Sequence, residues 1–188
     1  VLLAVGKPPG PDKAAAWGDL VRRVARGSTV IFLLPDVLAK GDQPTGWLPL
    51  ADKGTLAAMR NWVYLKDEWA TRHPILDGLP CGGLLDYTFY REIIPDLAFA
   101  GQDPPAEVVA GAINTSQAYT SGLLVSVHHL GAGRFILNTL NIRQNLGTHP
   151  AADRILLNVL RYAARDAGKP LAELPAEFGE QLKAIGYQ

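Results

Sequence analysis

The stretch from residue 122 to residue 168 constrains the fold more than any other part of the chain. Two apolar runs, residues 123–127 and 135–140, flank a Gly-Ala-Gly segment at residues 131–133. Strand-forming residues on both sides of a short glycine-containing loop predict a β-hairpin. A polar loop over residues 141–149 and then a helix follow. We expect the hairpin to extend a sheet and the helix to cover one face of it.

The ends of this predicted helix carry recognisable signals. Pro150 suits the first turn, where a missing N–H costs nothing, and either Thr148 or His149 would be the N-cap. Asp153 near the start and Arg161 near the end complement the helix dipole. Gly168 is the expected stop.

The same helix carries an apolar stripe at helical spacing: Ile155, Leu156, Val159, Leu160 and Ala163. We expect Leu156 and Leu160 to be buried together with Phe135 and Leu137. The helix and the hairpin would then share one core.

The first 35 residues predict a strand, a helix and a second strand. Residues 1–5 are apolar, a helix capped by Asp12 would run to about Arg26, and residues 29–34 form a continuous apolar run. A run without alternation is typical of a strand covered on both faces, as in a parallel sheet. The order predicts a βαβ unit and an α/β fold with a mostly parallel sheet.

The domain prediction is one α/β domain over residues 1–168 and a C-terminal tail over residues 169–188. The tail would carry a short amphipathic helix at about 176–185. Because the chain opens directly on an apolar strand at Val1, we expect a fragment or one module of a longer protein. A trimmed, disordered N-terminus is the alternative.

The middle of the chain gives weaker signals. Residues 55–69 fit a helix through Leu56 and Met59, but residues 62–65 fit a strand equally well. A short strand is predicted at residues 108–113.

Composition excludes several classes of partner. The 188 residues contain 18 Lys plus Arg and 18 Asp plus Glu, which argues against a nucleic-acid or acidic-membrane surface. No stretch has the length needed to span a bilayer, so a soluble chain is expected. The single Cys81 excludes an internal disulfide.

Motifs for common cofactors and metals are missing from the sequence. Gly131 and Gly133 lack the third glycine of a dinucleotide fingerprint and lie between two strands, so they predict a hairpin turn. His128 and His129 would point to opposite faces of a strand and cannot share a metal. Cys81 lies in no strand-to-helix elbow, and a structural role is favoured over a nucleophile. We predict no cofactor, no metal and no catalytic residue.

Three carboxylates leave a catalytic alternative open. Asp86, Glu92 and Asp96 could supply the two carboxyl groups of a glycosidase. The aromatic residues of segment 87–90 could stack on a sugar. They could equally form the rim of the core or a subunit contact.

A ligand is expected beyond the carboxyl ends of the parallel strands. The predicted loops there are residues 7–12, 36–46 and 141–149. The third loop and the residues beside it hold closely spaced hydrogen-bonding side chains: Asn138, Asn141, Arg143, Gln144, Asn145 and His149. Such groups suit polyhydroxylated or anionic ligands. They could instead satisfy the backbone of the loop and cap the helix.

The predicted ligand-binding residues are therefore Asn141, Arg143, Asn145 and His149. Three further residues, Asp86, Tyr90 and Arg91, are predicted to border the same region. All seven are polar or charged apart from the amphipathic Tyr90.

Several segments together resemble a known family. The resemblance covers nearly the whole chain, and the segments that carry it are His73-Pro74-Ile75, Gly78-Leu79-Pro80, Gly82-Gly83-Leu84, Asp86-Tyr87, Tyr90, Gly131-x-Gly133-Arg134-Phe135 and His149-Pro150-Ala151-Ala152-Asp153-Arg154 with Leu156 and Asn158. They look like a C-terminal module of large bacterial family 2-type glycoside hydrolases. More broadly, the chain resembles the class I glutamine-amidotransferase-like fold, which includes β-galactosidase trimerisation domains. The resemblance implies a three-layer, flavodoxin-like α/β sandwich with an antiparallel hairpin near the C-terminus.

The chain departs from true amidotransferases at their reactive residues, since it has neither a Gly-x-Cys-x-Gly elbow nor a late His-x-Glu pair. The resemblance thus implies a non-catalytic accessory or oligomerisation module of a bacterial carbohydrate-active enzyme. Its partners would be other domains of that enzyme or a second copy, with carbohydrate as a possible ligand. Periplasmic or secreted localisation would follow for a polysaccharide-degrading parent. The alternatives are a self-contained hydrolase using Asp86, Glu92 or Cys81, and a sugar-binding domain.

Overall fold

The computed structural model describes residues 1–6, 13–59, 67–114 and 119–187. Its helices are α1 Lys13–Ala25, α2 Tyr87–Tyr90, α3 Pro150–Ala164 and α4 Phe178–Ala184. Its strands are β1 Leu2–Ala4, β2 Thr29–Phe32, β3 Lys53–Ala58, β4 Asp67–Ala70, β5 Leu97–Gln102, β6 Glu107–Asn114, β7 Thr120–Leu130 and β8 Gly133–Asn138. The predicted loop 7–12 with its cap Asp12, and the ambiguous segment 62–65, lie outside the described residues.

The described strands form one mixed sheet. Its main path runs β1-β2-β8-β7-β5-β3, and β6 pairs with both β7 and β4. The pairings β1–β2 and β2–β8 are parallel. The pairings β3–β5, β4–β6, β5–β7, β6–β7 and β7–β8 are antiparallel.

The α/β class predicted from the sequence is confirmed, but a mostly parallel sheet is correct only for β1, β2 and β8. The first four residues of the apolar run 29–34 become the parallel strand β2, which is buried throughout. Two strands of the antiparallel part, β3 and β5, include several small residues and carry no strong strand pattern. Segment 55–69 becomes strand at both described ends, since β3 and β4 occupy them.

The predicted hairpin is present and packs tightly on α1. β7 and β8 are joined at Leu130 and Gly133, and Gly131 has φ 57°, which only glycine adopts without strain. A side chain at Gly133 would collide with the backbone oxygens of Val24 and Ser28. The two glycines therefore serve the hairpin turn, as the sequence predicts, and they also allow its contact with the end of α1.

The two long helices cover opposite faces of the sheet. Side chains along β2 and β8 alternate between these faces. One buried cluster joins α1 to β2 and β8. It contains Trp17, Val21 and Val24 of α1 and Val30, Phe32, Phe135 and Leu137 of the strands. A second buried cluster joins α3 to β2, β7 and β8. It contains Ile155 and Val159 of α3 and Ile31, Val125, Val127 and Ile136 of the strands.

This alternation overturns one expectation about the core. Leu156 and Leu160 are partly buried against the α3 cluster, whereas Phe135 and Leu137 belong to the α1 cluster. They therefore cannot be buried together, because the sheet lies between them. Periodicity identified the helical stripe but could not assign it to a face of the sheet.

The C-terminal segment packs on the α1 face. Phe178, Leu182 and Tyr187 are buried there, and the Tyr187 hydroxyl donates a hydrogen bond to the Trp47 carbonyl. Trp47 in turn stacks on Trp17, with ring centroids 5.8 Å apart. The predicted helix at 176–185 is confirmed as α4. In the part of the chain that the structure describes, no helix combines the length and apolarity needed to cross a bilayer.

A matched pair on α3 tests this assignment of faces. Ile155→Ala should lower the free energy of unfolding by about 2–5 kcal/mol, because Ile155 is fully buried and its truncation leaves a cavity. Leu157→Ala on the exposed side should change it by about 0.5 kcal/mol or less. Chemical denaturation measures both, and equal losses would contradict the packing described here.

Candidate functional site

A change of partner along β7 creates the crevice at the carboxyl end of the parallel strands. β8 pairs with β7 from Leu130 up to Val125, and then its chain turns away after Asn138. β5 pairs with β7 two residues further along, at Leu123. The ends of β2 and β8 and the start of β5 thus surround one opening, the position at which open α/β sheets bind ligands.

A cavity of about 370 Å³ occupies this opening. Its lining combines the segments after β2 and β8 with the segment before and at the start of β5: Leu34, Pro35, Asp36, Pro95, Asp96, Leu97, Thr139, Leu140, Asn141 and Gln144. Two of the predicted ligand loops, 36–46 and 141–149, meet here. We call this opening the strand-end cavity.

Most amides of the loop after β8 are occupied by backbone carbonyls. The Asn141 side-chain amide donates to the Ile94 carbonyl at 3.1 Å. The Asn145 side-chain amide donates to the Glu92 carbonyl at 2.9 Å and to the Asn141 carbonyl at 2.7 Å. These bonds attach the loop to the segment that follows α2.

Asn138 and Arg143 brace the same end of the sheet. The buried Asn138 amide donates to the carbonyls of Leu33 and Leu140, at 2.9 Å each. The Arg143 guanidinium donates to the Val5 carbonyl at 3.2 Å. The side-chain donors of these residues therefore brace the loop, which was the alternative role considered for them. Their ligand-binding role stays a prediction.

His149, one of the two N-cap residues predicted from the sequence, is the N-cap of α3. Its Nδ1 accepts a hydrogen bond from the Ala151 backbone N–H at 3.2 Å. The proton must then be on Nε2, which lies 3.2 Å from the Phe89 carbonyl and can donate to it. Both ring nitrogens are thus engaged in the neutral form, and the ring connects α3 to α2.

The other three predicted residues lie on and beside α2, next to this loop. The Asp86 carboxylate caps α2 by accepting from the Thr88 backbone N–H at 2.7 Å. Tyr90 is fully buried. Arg91 is exposed, and its guanidinium lies 6.0 Å from the centroid of the Tyr87 ring. His149 and Asn145 connect the loop to Phe89 of α2 and to Glu92 after it, while Tyr90 faces the core. The ligand-binding role of Asp86, Tyr90 and Arg91 stays a prediction.

The environment of Cys81 does not activate its thiol. Burial raises the pKa of Cys81, and the nearby Tyr90 hydroxyl offsets only part of this effect. The sulfur lies 3.6 Å from the Leu79 carbonyl and 4.0 Å from that of Leu76. A nucleophilic cysteine needs its pKa lowered instead.

Apolar side chains are exposed around α2. Tyr87 and Phe89 on the helix are 41% and 42% exposed. Leu84 just before the helix is 61% exposed, and Leu146 in the loop that binds α2 is 38% exposed. We call these four residues the α2 surface. Grouped exposed apolar side chains are typical of an interaction site.

A polar network that was not predicted from the sequence lies between β6 and α3. The Glu107 carboxylate accepts from the Tyr162 hydroxyl at 2.5 Å, from the Arg165 guanidinium at 3.3 Å and from His73 Nε2 at 3.0 Å. Burial alone would raise the pKa of Glu107. The hydrogen bonds from Tyr162 and His73 and the charge of Arg165 outweigh it and lower the pKa.

The His73 ring in this network has no free nitrogen. Its Nδ1 accepts from the Ile75 backbone N–H at 3.2 Å, which puts the proton on the Nε2 that faces Glu107. Such a histidine cannot accept a proton without breaking a bond. The network therefore anchors α3 to β6.

Within the described residues, no group of three or more His, Cys, Asp or Glu side chains is placed to hold a metal ion. His128 and His129 do point to opposite faces, since His128 is buried and His129 is exposed.

Comparison with known proteins identifies no family for the chain. No family model matches the chain, and no curated protein matches it. Among solved structures, the chain is similar to the crystal structure of β-galactosidase from Bacillus circulans sp. alkalophilus, with 17% sequence identity and a TM-score of 0.45. The match covers 88% of this chain and 22% of that chain.

The buried His128 should make stability depend on pH. Burial lowers the pKa of His128 to about 4, and the charge of Asp103 opposes this shift. Between pH 6.5 and 4 the unfolded chain binds a proton at this residue that the folded chain does not bind. Stability should fall as the pH drops through this window, by up to about 3 kcal/mol from this residue.

The matched variants are His128→Gln and His129→Gln. Unfolding measured between pH 4 and 7 should show a shallower pH dependence for His128→Gln, while His129→Gln should retain the slope of the natural chain. An unchanged slope in His128→Gln would mean that His128 is not held neutral by the fold.

Proposed function

We propose that the chain is a non-catalytic accessory module of a bacterial glycoside hydrolase, and that the α2 surface docks it onto another domain of that enzyme or onto a second copy. The observation that carries the proposal is the exposure of Leu84, Tyr87, Phe89 and Leu146 around one short helix. Side chains of this kind gain free energy when a partner removes them from water. A subunit contact is one of the three roles considered for segment 87–90, and the proposal adopts it for Tyr87 and Phe89.

The chemistry around the α2 surface supports a docking role over a catalytic one. Burial raises the pKa of the Cys81 thiol, and the Asp86 carboxylate is used as a helix cap. Both ring nitrogens of His149 are engaged in hydrogen bonds. The same is true of His73 in the Glu107 network. Side chains occupied in this way hold the fold and are poorly placed to move protons in a reaction.

The resemblance of the sequence to modules of glycoside hydrolases supplies the kind of parent protein. The weak similarity to part of a β-galactosidase is compatible with this role and is not specific to it. The proposal includes the three-layer, flavodoxin-like arrangement, which the packing of α1 and α3 on opposite faces supports. It also includes a domain at 1–168 with a tail at 169–188, and a periplasmic or secreted parent.

The first test is the activity of the isolated chain. We expect no turnover of nitrophenyl glycosides, esters or glutamine above the uncatalysed rate, because burial raises the pKa of the Cys81 thiol and the Asp86 carboxylate caps α2. A turnover of about 1 per second or faster that disappears in Cys81→Ala or Glu92→Gln would contradict the proposal and favour the hydrolase alternative.

The second test concerns docking. Sedimentation velocity would follow self-association of the chain, and a pull-down would follow its binding to the rest of its parent protein, expressed separately. We expect Leu84→Ser combined with Phe89→Ser to weaken the association at least about tenfold, which is roughly 1.4 kcal/mol.

Leu171→Ser is the matched control, since Leu171 is also a strongly exposed leucine but lies in the C-terminal segment. It should associate as the natural chain does. Absence of association in both assays, or equal association of all variants, would contradict docking through the α2 surface.

A further inference from the structure

The strand-end cavity contains polar groups that the fold does not use. Within the described chain, the Asp36 carboxylate and the Gln144 side-chain amide form no hydrogen bond, and both residues are exposed. Asn141 donates through its amide nitrogen to Ile94, which leaves its side-chain oxygen as an acceptor. The cavity thus offers a carboxylate, an amide and an amide oxygen at one opening.

Its remaining lining sets the kind of ligand that fits. The leucines and prolines supply apolar walls. None of the lining residues is Lys, Arg or His, so nothing in the lining neutralises an anion. Carboxylates and side-chain amides accept and donate to hydroxyl groups, and the apolar walls suit C–H surfaces.

We propose that the strand-end cavity binds a neutral polyhydroxylated ligand of monosaccharide size. Its volume of about 370 Å³ lies in the lower part of the range for small-molecule sites. Phosphate and sulfate esters are disfavoured by charge, because the lining includes the Asp36 carboxylate and no Lys, Arg or His. The position follows from the partner change of β7, and it does not depend on the α2 surface.

The probes are a panel of neutral monosaccharides added to the isotope-labelled 188-residue chain and followed by NMR. An open site of this size is expected to bind in roughly the millimolar range. The backbone signals of Leu34, Thr139 and Asn141 should shift and saturate. Because the whole chain is used without its partners, failure here leaves the docking proposal intact, and failure of docking leaves this one intact.

Two variants remove the unused groups without touching internal bonds. Asp36→Asn and Gln144→Ala should each weaken binding at least about tenfold and leave the rest of the spectrum unchanged. The matched control is Gln43→Ala, an exposed amide that lines a different cavity beside Thr45 and Lys53. It should bind as the natural chain does.

Three results would overturn the inference. One is the absence of saturable shifts at the cavity with every sugar of the panel. Another is unchanged affinity in Asp36→Asn or in Gln144→Ala. The third is saturation of the same signals by calcium or inorganic phosphate in place of sugar, which would assign the cavity to an ion.

Discussion

The structure depends on β7 being long enough to pair with three strands. Its residues 125–130 hold β8, residue 123 holds β5, and residues 120–127 pair with β6. Through β8 it reaches the parallel strands β2 and β1, and through β5 and β6 it reaches the antiparallel strands. One strand therefore joins the two halves of the sheet. On the edge of β7 that pairs with β8, the partner changes from β8 to β5 beyond Val125. This change produces the opening that the strand-end cavity occupies.

The sequence predicts the parts of this fold in which a pattern is continuous and local. The hairpin, β2, α1 and α3 all follow from runs of apolar residues, caps and glycine stops within 20 residues or fewer. β3 and β5 were not predicted, because their pairing joins Thr55 to Ala100 and several of their residues are small. No pattern within either segment records a partner so far along the chain. The face of the sheet on which each helix packs could not be predicted for the same reason.

The candidate site shows a similar division. The sequence placed hydrogen-bonding side chains in the loop before α3 and gave loop bracing as one of two possible roles. What it could not show is which carbonyls they reach, since Asn145 binds at Glu92 and Asn138 binds at Leu33. The Glu107 network was missed entirely, because His73, Glu107 and Tyr162 meet only after β6 and α3 have packed. A buried tyrosine on the apolar face of α3 was the one local sign.

Bracing also decides which groups a ligand can use. A side-chain amide that satisfies a buried carbonyl contributes about 1 kcal/mol, and removing it leaves that carbonyl unsatisfied at a cost of about 1–3 kcal/mol. The amide nitrogens of Asn138, Asn141 and Asn145 are therefore not available to a ligand that binds weakly. The same holds for the two His-Pro pairs, in which Nδ1 of His73 caps the 3-10 turn Pro74–Leu76 and Nδ1 of His149 caps α3. A ligand at this end of the sheet must use groups without internal partners, and within the strand-end cavity these are the side chains of Asp36 and Gln144 and the side-chain oxygen of Asn141.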